Sequence, residues 1–307
     1  MYKEKQLMYI KVLTPTHAGA GQCIDNIDMP IQREKHSNIP KIEASSLKGS
    51  IKNALYNKIK LRYVDTKKEL KNSDEFKWLS IIFGSENGDD YASLIGFTDA
   101  RLLLFPIKSA TDIYKLITCP YILKRWTEDL EIVNNAQVNK IKELVVDDGE
   151  CIAMDKSKCF NQGNESKIIL EEYVFDVCQN KAEELNGVLK AINGIDVSRV
   201  VILSDSDFID LVCMYTEIIT RNKIDVNTGV AEGTGLFTEE YLPVETVLYF
   251  MVLASPSFNG DDKKLLPDPI EYFNKNVNEV FQVGGNATIG KGIVKWLNKE
   301  AIKNGES

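Results

Sequence analysis

Apolar residues recur along this chain in two rhythms. Leu7 to Thr14 (LMYIKVLT) is apolar and β-branched and is stopped by Pro15, which predicts a strand. From Ser45 the rhythm changes. Leu47, Ile51, Leu55 and Ile59 lie four apart, the stripe of an amphipathic helix, with Ser45 or Ser46 as its N-cap. A second helix is predicted over Ser73–Phe83, closed by Gly84, and a strand over Ile95–Phe105. In the middle, Ile122–Val145 reads as helical in parts and Asp155–Glu165 as an exposed polar loop. Ile168–Val177 reads as a strand, and Lys181–Ile192 and Asp205–Ile219 as helices. Val244–Ala254 (VETVLYFMVLA) is the strongest strand pattern, Pro267–Phe281 an amphipathic helix and Ile293–Leu297 a last strand. Two long stretches lack either period. One is the loop His17–Pro40. The other is the polar, Gly-rich Arg221–Glu240, whose apolar flanks predict a long hairpin.

Strands and helices interleave without a clean βαβ rhythm and without a repeat of fixed period. That order predicts an α+β fold with long insertions. The chain has 307 residues, 44% of them hydrophobic and 27% charged. Such a length buries a sizeable core without disulfide or metal staples, and the composition excludes global disorder. No run approaches the ~20 apolar residues of a membrane span, so no membrane partner is expected. The six cysteines form no C-x-x-C pair, and two histidines, His17 and His36, complete no zinc ligand set. Reduced thiols in a cytoplasmic protein are the expectation.

The net charge of −8 excludes binding of nucleic acid by bulk charge. Its distribution changes that picture. Met29–Lys68 holds ten Lys/Arg against three acids, a balance of +7, and leaves −15 on the rest of the chain. A basic segment in an acidic chain points to a local anionic partner, or to a solvated lysine-rich helix.

Three stretches can carry chemistry. The first turns of the helix from Ser45 hold Lys48, Gly49 and Lys52, where unpaired N–H groups attract anions. Glycine inside a helix costs about 1 kcal/mol against alanine, which makes sense where another backbone comes close. Lys48 and Lys52 are i, i+4 and repel unless an anion lies between them. The second stretch is Val283–Gly292, with Gly284, Gly285, Gly290, Lys291 and Gly292. It follows a helix and precedes a strand, the reverse of a nucleotide-binding loop. Its glycines let amides approach a phosphate chain, or simply make a tight crossover. The third is the loop His17–Pro40. Asp25 and Asp28, at i, i+3, can hold a hydrated Mg²⁺, act as a base, or merely form turns. His17 is an acid–base candidate or a structural histidine.

Several stretches, in order, resemble one family. They are His17-Ala-Gly-Ala-Gly21, Ile27-Asp28-Met29-Pro30-Ile31-Gln32-Arg33-Glu34, and Ile39-Pro40 with Ser45-Ser46-Leu47-Lys48-Gly49-Ser50-Ile51. Ile82-Phe83-Gly84, Gly96-Phe97-Thr98-Asp99-Ala100, Pro106-Ile107-Lys108-Ser109, Thr118-Cys119-Pro120, Glu239-Glu240-Tyr241-Leu242-Pro243 and Gly284–Gly292 follow. Together they resemble the repeat-associated mysterious protein (RAMP) superfamily, and within it the backbone subunits of type III-B (Cmr) CRISPR effector complexes. Residues from about 125 to 220 match least.

The resemblance implies a single domain over 1–307: a modified ferredoxin-like, RRM-related palm with finger insertions and a β-hairpin thumb. The loop would span 15–44, an insertion about 125–220 and the thumb about 220–241, with Val226, Val230 or Leu236 as its apolar wedge. Copies would stack along a crRNA guide, beside other subunits of the complex, and cut complementary target RNA at regular intervals. The cleavage residue would be Asp28 rather than Asp25, attack would come from the target's 2′-hydroxyl, and a divalent cation, Mg²⁺, would assist. Lys48, Gly49, Lys52, Arg33, His17, Arg221, Gly284, Gly285, Gly290, Lys291 and Gly292 would meet RNA. The competing expectations are a purely structural RNA-binding backbone and a stand-alone guide-processing nuclease.

Overall fold

A computed structural model describes residues 2–22, 26–63, 67–85, 92–134, 144–163, 165–178, 182–190, 192, 194–225, 227–231, 235–255 and 266–297. In chain order the strands are β1 (Glu4–Val12), β2 (Lys41–Ile42), β3 (Ile95–Phe97), β4 (Ala100–Lys108), β5 (Tyr114–Thr118), β6 (Glu150–Ala153), β7 (Phe160–Gln162), β8 (Glu165–Leu170), β9 (Tyr173–Val177), β10 (Val200–Leu203), β11 (Glu217–Arg221), β12 (Phe237–Tyr241), β13 (Val247–Ala254), β14 (Val280–Gln282) and β15 (Ile293–Leu297). The helices are α1 (Ala44–Lys60), α2 (Lys67–Asn72), α3 (Asp74–Phe83), α4 (Pro120–Asn134), α5 (Ala182–Leu189), α6 (Asp205–Met214) and α7 (Pro269–Asn276).

Among the described residues thirteen strands join one sheet, ordered β14-β15-β1-β13-β4-β5-β10-β6-β9-β8-β7, with β2 and β3 added beside β4 and β13. The pairing is antiparallel except for β5–β10 and β6–β9. Its centre runs β15-β1-β13-β4, and α1 and α7 lie on the two connections that lead to β4 and to β15. Everything from β5 to β12 is inserted between β4 and β13.

Both faces of the central strands are covered. Met8, Ile10 and Val12 of β1 pack with the α1 stripe Leu47, Ile51, Leu55 and Ile59, and with Phe273 of α7. Tyr9, on the opposite face, receives the Trp126 indole N–H of α4 at 3.0 Å. Strands covered on both faces read as unbroken apolar runs, as Leu7–Ile10 of β1 and all of β13 do.

Local chemistry explains where elements begin and end. Ser73 caps α3 by accepting from the Phe76 N–H, and Gly84 closes it at φ 96°. The start of α1 differs from the Ser45 or Ser46 cap expected. It begins at Ala44, whose N–H donates to Asp99 Oδ1 at 2.9 Å, and the residue before it makes no side-chain cap. A tertiary contact thus replaces the local cap. The same Asp99 lies in the break that splits the expected Ile95–Phe105 strand into β3 and β4.

Other expectations need correction. Asp155–Glu165 is not a plain loop: Asp155 caps a 3₁₀ turn and β7 follows. Ile168–Val177 is two arms of a hairpin, turned at Glu171 with φ 51°. The helix from Asp205 stops at Met214, and Ile218 and Ile219 belong to β11. The helix from Pro269 stops at Asn276, and Phe281 lies in β14, so the Gly-rich stretch follows a strand. The buried strands β5, β6 and β10 had no counterpart in the reading of the sequence. The Arg221–Glu240 hairpin is present: β11 and β12 pair from Glu217↔Tyr241 to Arg221↔Phe237.

Candidate functional site

Strand β12 is the hub around which most of the singled-out residues gather. Alternation sends its side chains two ways. Thr238 and Glu240 meet the loop that follows His17, while Glu239 and Tyr241 meet the Gly-rich stretch. The loop runs alongside as an added strand: Met29 N–H donates to Thr238 O, and Glu240 N–H to Met29 O, both at 3.0 Å.

This register sets Asp28 against Thr238. Asp28 Oδ2 accepts the Thr238 N–H at 2.7 Å and its hydroxyl at 2.9 Å, and the Asp28 N–H donates to Thr238 Oγ1 at 3.0 Å. Asp28 is exposed. The Thr238 amide, then its hydroxyl, stabilise the ionised carboxylate and hold it below the usual carboxylate range. Asp25 lies outside the described residues.

Behind Asp28 the site is built on buried carboxylates, each paired to a half-buried arginine. Glu240 accepts from Arg33, from the Thr216 hydroxyl at 2.7 Å and from the Ile31 N–H at 3.0 Å. His17 is buried and gives Nδ1 to the Glu240 carbonyl at 2.7 Å. Its neighbour Gly19 lies so close that a Cβ there would stand 2.7 Å from His17 Nε2. Glu239 accepts from Arg221 at 2.8 Å, from the Tyr241 hydroxyl at 2.5 Å and from Asn286 at 3.2 Å. Burial pushes the Glu239 carboxyl up, but these three donors hold it below its ordinary value. Burial, then Glu239, pushes the Tyr241 phenol up to about 12.

The Gly-rich stretch is locked onto this hub. Asn286, in the left-handed conformation, also donates to the Tyr241 hydroxyl at 3.1 Å, and Lys291 Nζ stands 5.0 Å over the Tyr241 ring. Gly285 N–H donates to His17 O at 2.9 Å and Gly292 N–H to Pro15 O at 3.0 Å. Gly284 is required twice over. Its φ is 81°, and a Cβ would lie 2.2 Å from the His17 carbonyl oxygen. Gly290 is exposed and open.

The α1 cluster is a neighbour, joined through Gln32. Its side chain accepts the Glu43 N–H at 2.7 Å and reaches Gly19 O and Ser46 Oγ. Lys48 Nζ donates to Ser93 Oγ at 2.6 Å and to Ile95 O at 3.2 Å, and Lys52 Nζ to Gly84 O at 2.7 Å. Burial, then Lys52, lowers the Lys48 ammonium from its ordinary value. Gly49 is exposed, and nothing within the chain stands within 4 Å of the Cβ it lacks. Much of the basic segment is engaged internally: Lys41 with Asp99, Lys58 with the Asn276 carbonyl, Arg62 with Glu75.

Of the wedge candidates, Val230 and Leu236 are exposed and Val226 lies outside the described residues. The tip also exposes Ile224, unremarked in the sequence. Thr238, Glu239, Tyr241 and Asn286 were missed as site residues. The polar run Thr238-Glu239-Glu240 inside an otherwise apolar strand was the available signal. Among the described residues no three His, Cys, Asp or Glu side chains converge as a metal site. What the geometry offers is one exposed carboxylate, held ionised and in register beside a hairpin, which can take a proton or face a cation.

Comparison with known proteins agrees along nearly the whole chain. The profile of the RAMP superfamily matches residues 9–295. The curated CRISPR system Cmr endoribonuclease Cmr4 of Pyrococcus furiosus is 35% identical over 97% of this chain and 97% of its own length. The crystal structure of oligomeric Cmr4 from Pyrococcus furiosus superposes with a TM-score of 0.69 at 29% identity, covering 97% of this chain and 99% of that one. A type III-B Cmr-beta complex bound to cognate target RNA, seen by cryo-electron microscopy, contains a chain of the same fold. Its TM-score is 0.75 at 24% identity, over 98% of this chain and 99% of that one.

Proposed function

Taking as premise that the chain belongs to the RAMP superfamily, we propose that it is the backbone endoribonuclease of a type III-B CRISPR complex. It binds the crRNA guide, stacks with further copies of itself beside the other Cmr subunits, and cuts target RNA paired to the guide. The carrying observation is Asp28: an exposed carboxylate with one oxygen held by the Thr238 amide and hydroxyl beside the β11–β12 hairpin.

The palm is ferredoxin-like in this reading. Its support is the strand order β15-β1-β13-β4 with α1 and α7 on one face, the βαββαβ order along the chain. The long β4–β13 connection then carries the insertion, and β11–β12 is the thumb, with Ile224, Val230 and Leu236 exposed toward its tip. In this reading guide backbone passes over α1 at Gly49, where no side chain stands in its way, and Lys48 and Lys52 turn from their contacts with Ser93, Ile95 and Gly84 to meet it. Arg33, His17 and Arg221 support the site from behind, and the Gly-rich stretch presents Gly290 and Lys291. The setting is the cytoplasm. Among the described residues no helix is long and apolar enough to cross a membrane, and five cysteines are free thiols.

In the reaction the 2′-hydroxyl of a kinked target nucleotide attacks the adjacent phosphorus in line. Asp28 takes the hydroxyl proton, the bond between phosphorus and the 5′-oxygen breaks, and that oxygen takes a proton from water as it leaves. The products are a 2′,3′-cyclic phosphate and a 5′-hydroxyl. A divalent cation fits such a site, because Mg²⁺ needs only one or two protein carboxylates and completes its shell with water and phosphate. Asp28 would be its ligand, and the ion would neutralise charge at the phosphate.

The test is the assembled complex offered a labelled complementary RNA. Regular cuts are expected, lost with Asp28→Ala, and a single 2′-deoxy nucleotide should abolish only the cut that follows it. Undiminished cutting by Asp28→Ala would assign this chain a purely structural role, and cutting at the deoxy step would replace the intramolecular attack by water.

A further inference from the structure

We propose that Thr238 is the positioning residue for the Asp28 carboxylate and couples it to the seating of the hairpin. The inference rests on the reading of Asp28 as the cleavage residue. Its basis is the closed ring between the two residues. Both donors of Thr238 end on Oδ2, the Asp28 N–H returns to Thr238 Oγ1, and Oδ1 stays outside the ring. A carboxylate on an exposed loop otherwise rotates freely about χ1 and χ2. Here one oxygen is pinned at 2.7 Å and 2.9 Å, which fixes the direction of the other. Threonine suits this position because two heavy atoms on its Cβ stiffen χ1, so its hydroxyl has a set direction on the strand.

The second observation is where Thr238 sits. It is opposite Thr220 in the β11–β12 ladder, and its own carbonyl takes the Met29 N–H at 3.0 Å. The strand that carries one arm of the hairpin therefore also carries the clamp on Asp28. When RNA seats the hairpin, the same strand sets the carboxylate. Glu239 and Glu240, the next two residues, are buried in their own networks and fix the register of this strand against both flanking loops.

The experiment uses the assembled complex with Thr238→Val, which keeps the β-branched shape and removes the hydroxyl, with Thr238→Ser and with Asp28→Ala. Thr238→Val should lower the single-turnover rate at saturating target by roughly ten- to a hundredfold, with guide and target affinity changed less than about twofold. Thr238→Ser should recover most of the rate. A Thr238→Val complex that cuts at the normal rate while Asp28→Ala is dead would overturn the positioning role and leave the Asp28 reading intact. Normal cutting by both would overturn the reading itself. Equal loss of rate and target affinity, or no recovery with serine, would make Thr238 a structural residue only.

Discussion

Glu34, at the end of the motif that holds Asp28, shows how much a single residue carries. It is buried and takes both guanidinium N–H groups of Arg125, at 2.6 Å and 2.8 Å, with the Ser37 hydroxyl at 2.7 Å. Burial raises its carboxyl, but Arg125 and Ser37 outweigh it and the net shift is downward. The folded value thus lies below the unfolded one, near 4.5. The stabilisation is complete above that value and is lost as pH falls through the folded value. Urea melts should show the wild type weakening below about pH 4.5. Glu34→Gln should lack that component and be less stable at neutral pH by about 2–3 kcal/mol, since Arg125 is left half-buried and unpaired. Two glycines give opposite expectations. Gly284→Ala should cost about 2–4 kcal/mol, from a left-handed φ and a clash with the His17 carbonyl. Gly49→Ala should stabilise the free chain by about 1 kcal/mol, because helix propensity is gained and nothing is touched. If guide RNA passes over that turn, the same Gly49→Ala should weaken guide binding, so melting and filter binding should move in opposite directions.

Among the elements, β12 ties β11, the loop after His17 and the Gly-rich stretch together, and Glu240 is its anchor. Removing it leaves Arg33 half-buried without its ion pair and the Ile31 and Thr216 donors unmet. Glu240→Ala should cost about 3–5 kcal/mol. Amide exchange should quicken first at Met29 and Glu240, where the loop pairs with the strand. Elements that carry their own signals were legible in the sequence: α3 has Ser73 before it and Gly84 after it, and α1 has its apolar stripe. Those decided by tertiary contact were not. The start of α1 depends on Asp99, some 55 residues away. Strands β5, β6 and β10 are short runs buried on both faces, where no period separates strand from helix. Asp28 was legible only through the motif around it. Thr238 was not, because the partner that gives it meaning lies 210 residues earlier in the chain.

For the whole molecule, a net charge of −8 accords with the proposed array if each copy holds RNA through a few local contacts and affinity is gained by adding copies. Light scattering of the chain with guide RNA should show mass growing with guide length, and a single copy at saturating guide would contradict the array. A mutant lacking Lys48 should bind all guide sequences more weakly and with a shallower salt slope, as a phosphate contact would. The central sheet has a further consequence, for how the chain is made. Strand β1 is made well before its two neighbours in the sheet, β13 and β15. About 235 residues must emerge before the first of them appears. At ribosomal speeds that is a wait on the order of ten to fifty seconds. During that time a strand destined to be covered on both faces has no partner. Strand β1 must therefore leave the ribosome unpaired, and its apolar positions stay open to wrong partners until β13 follows.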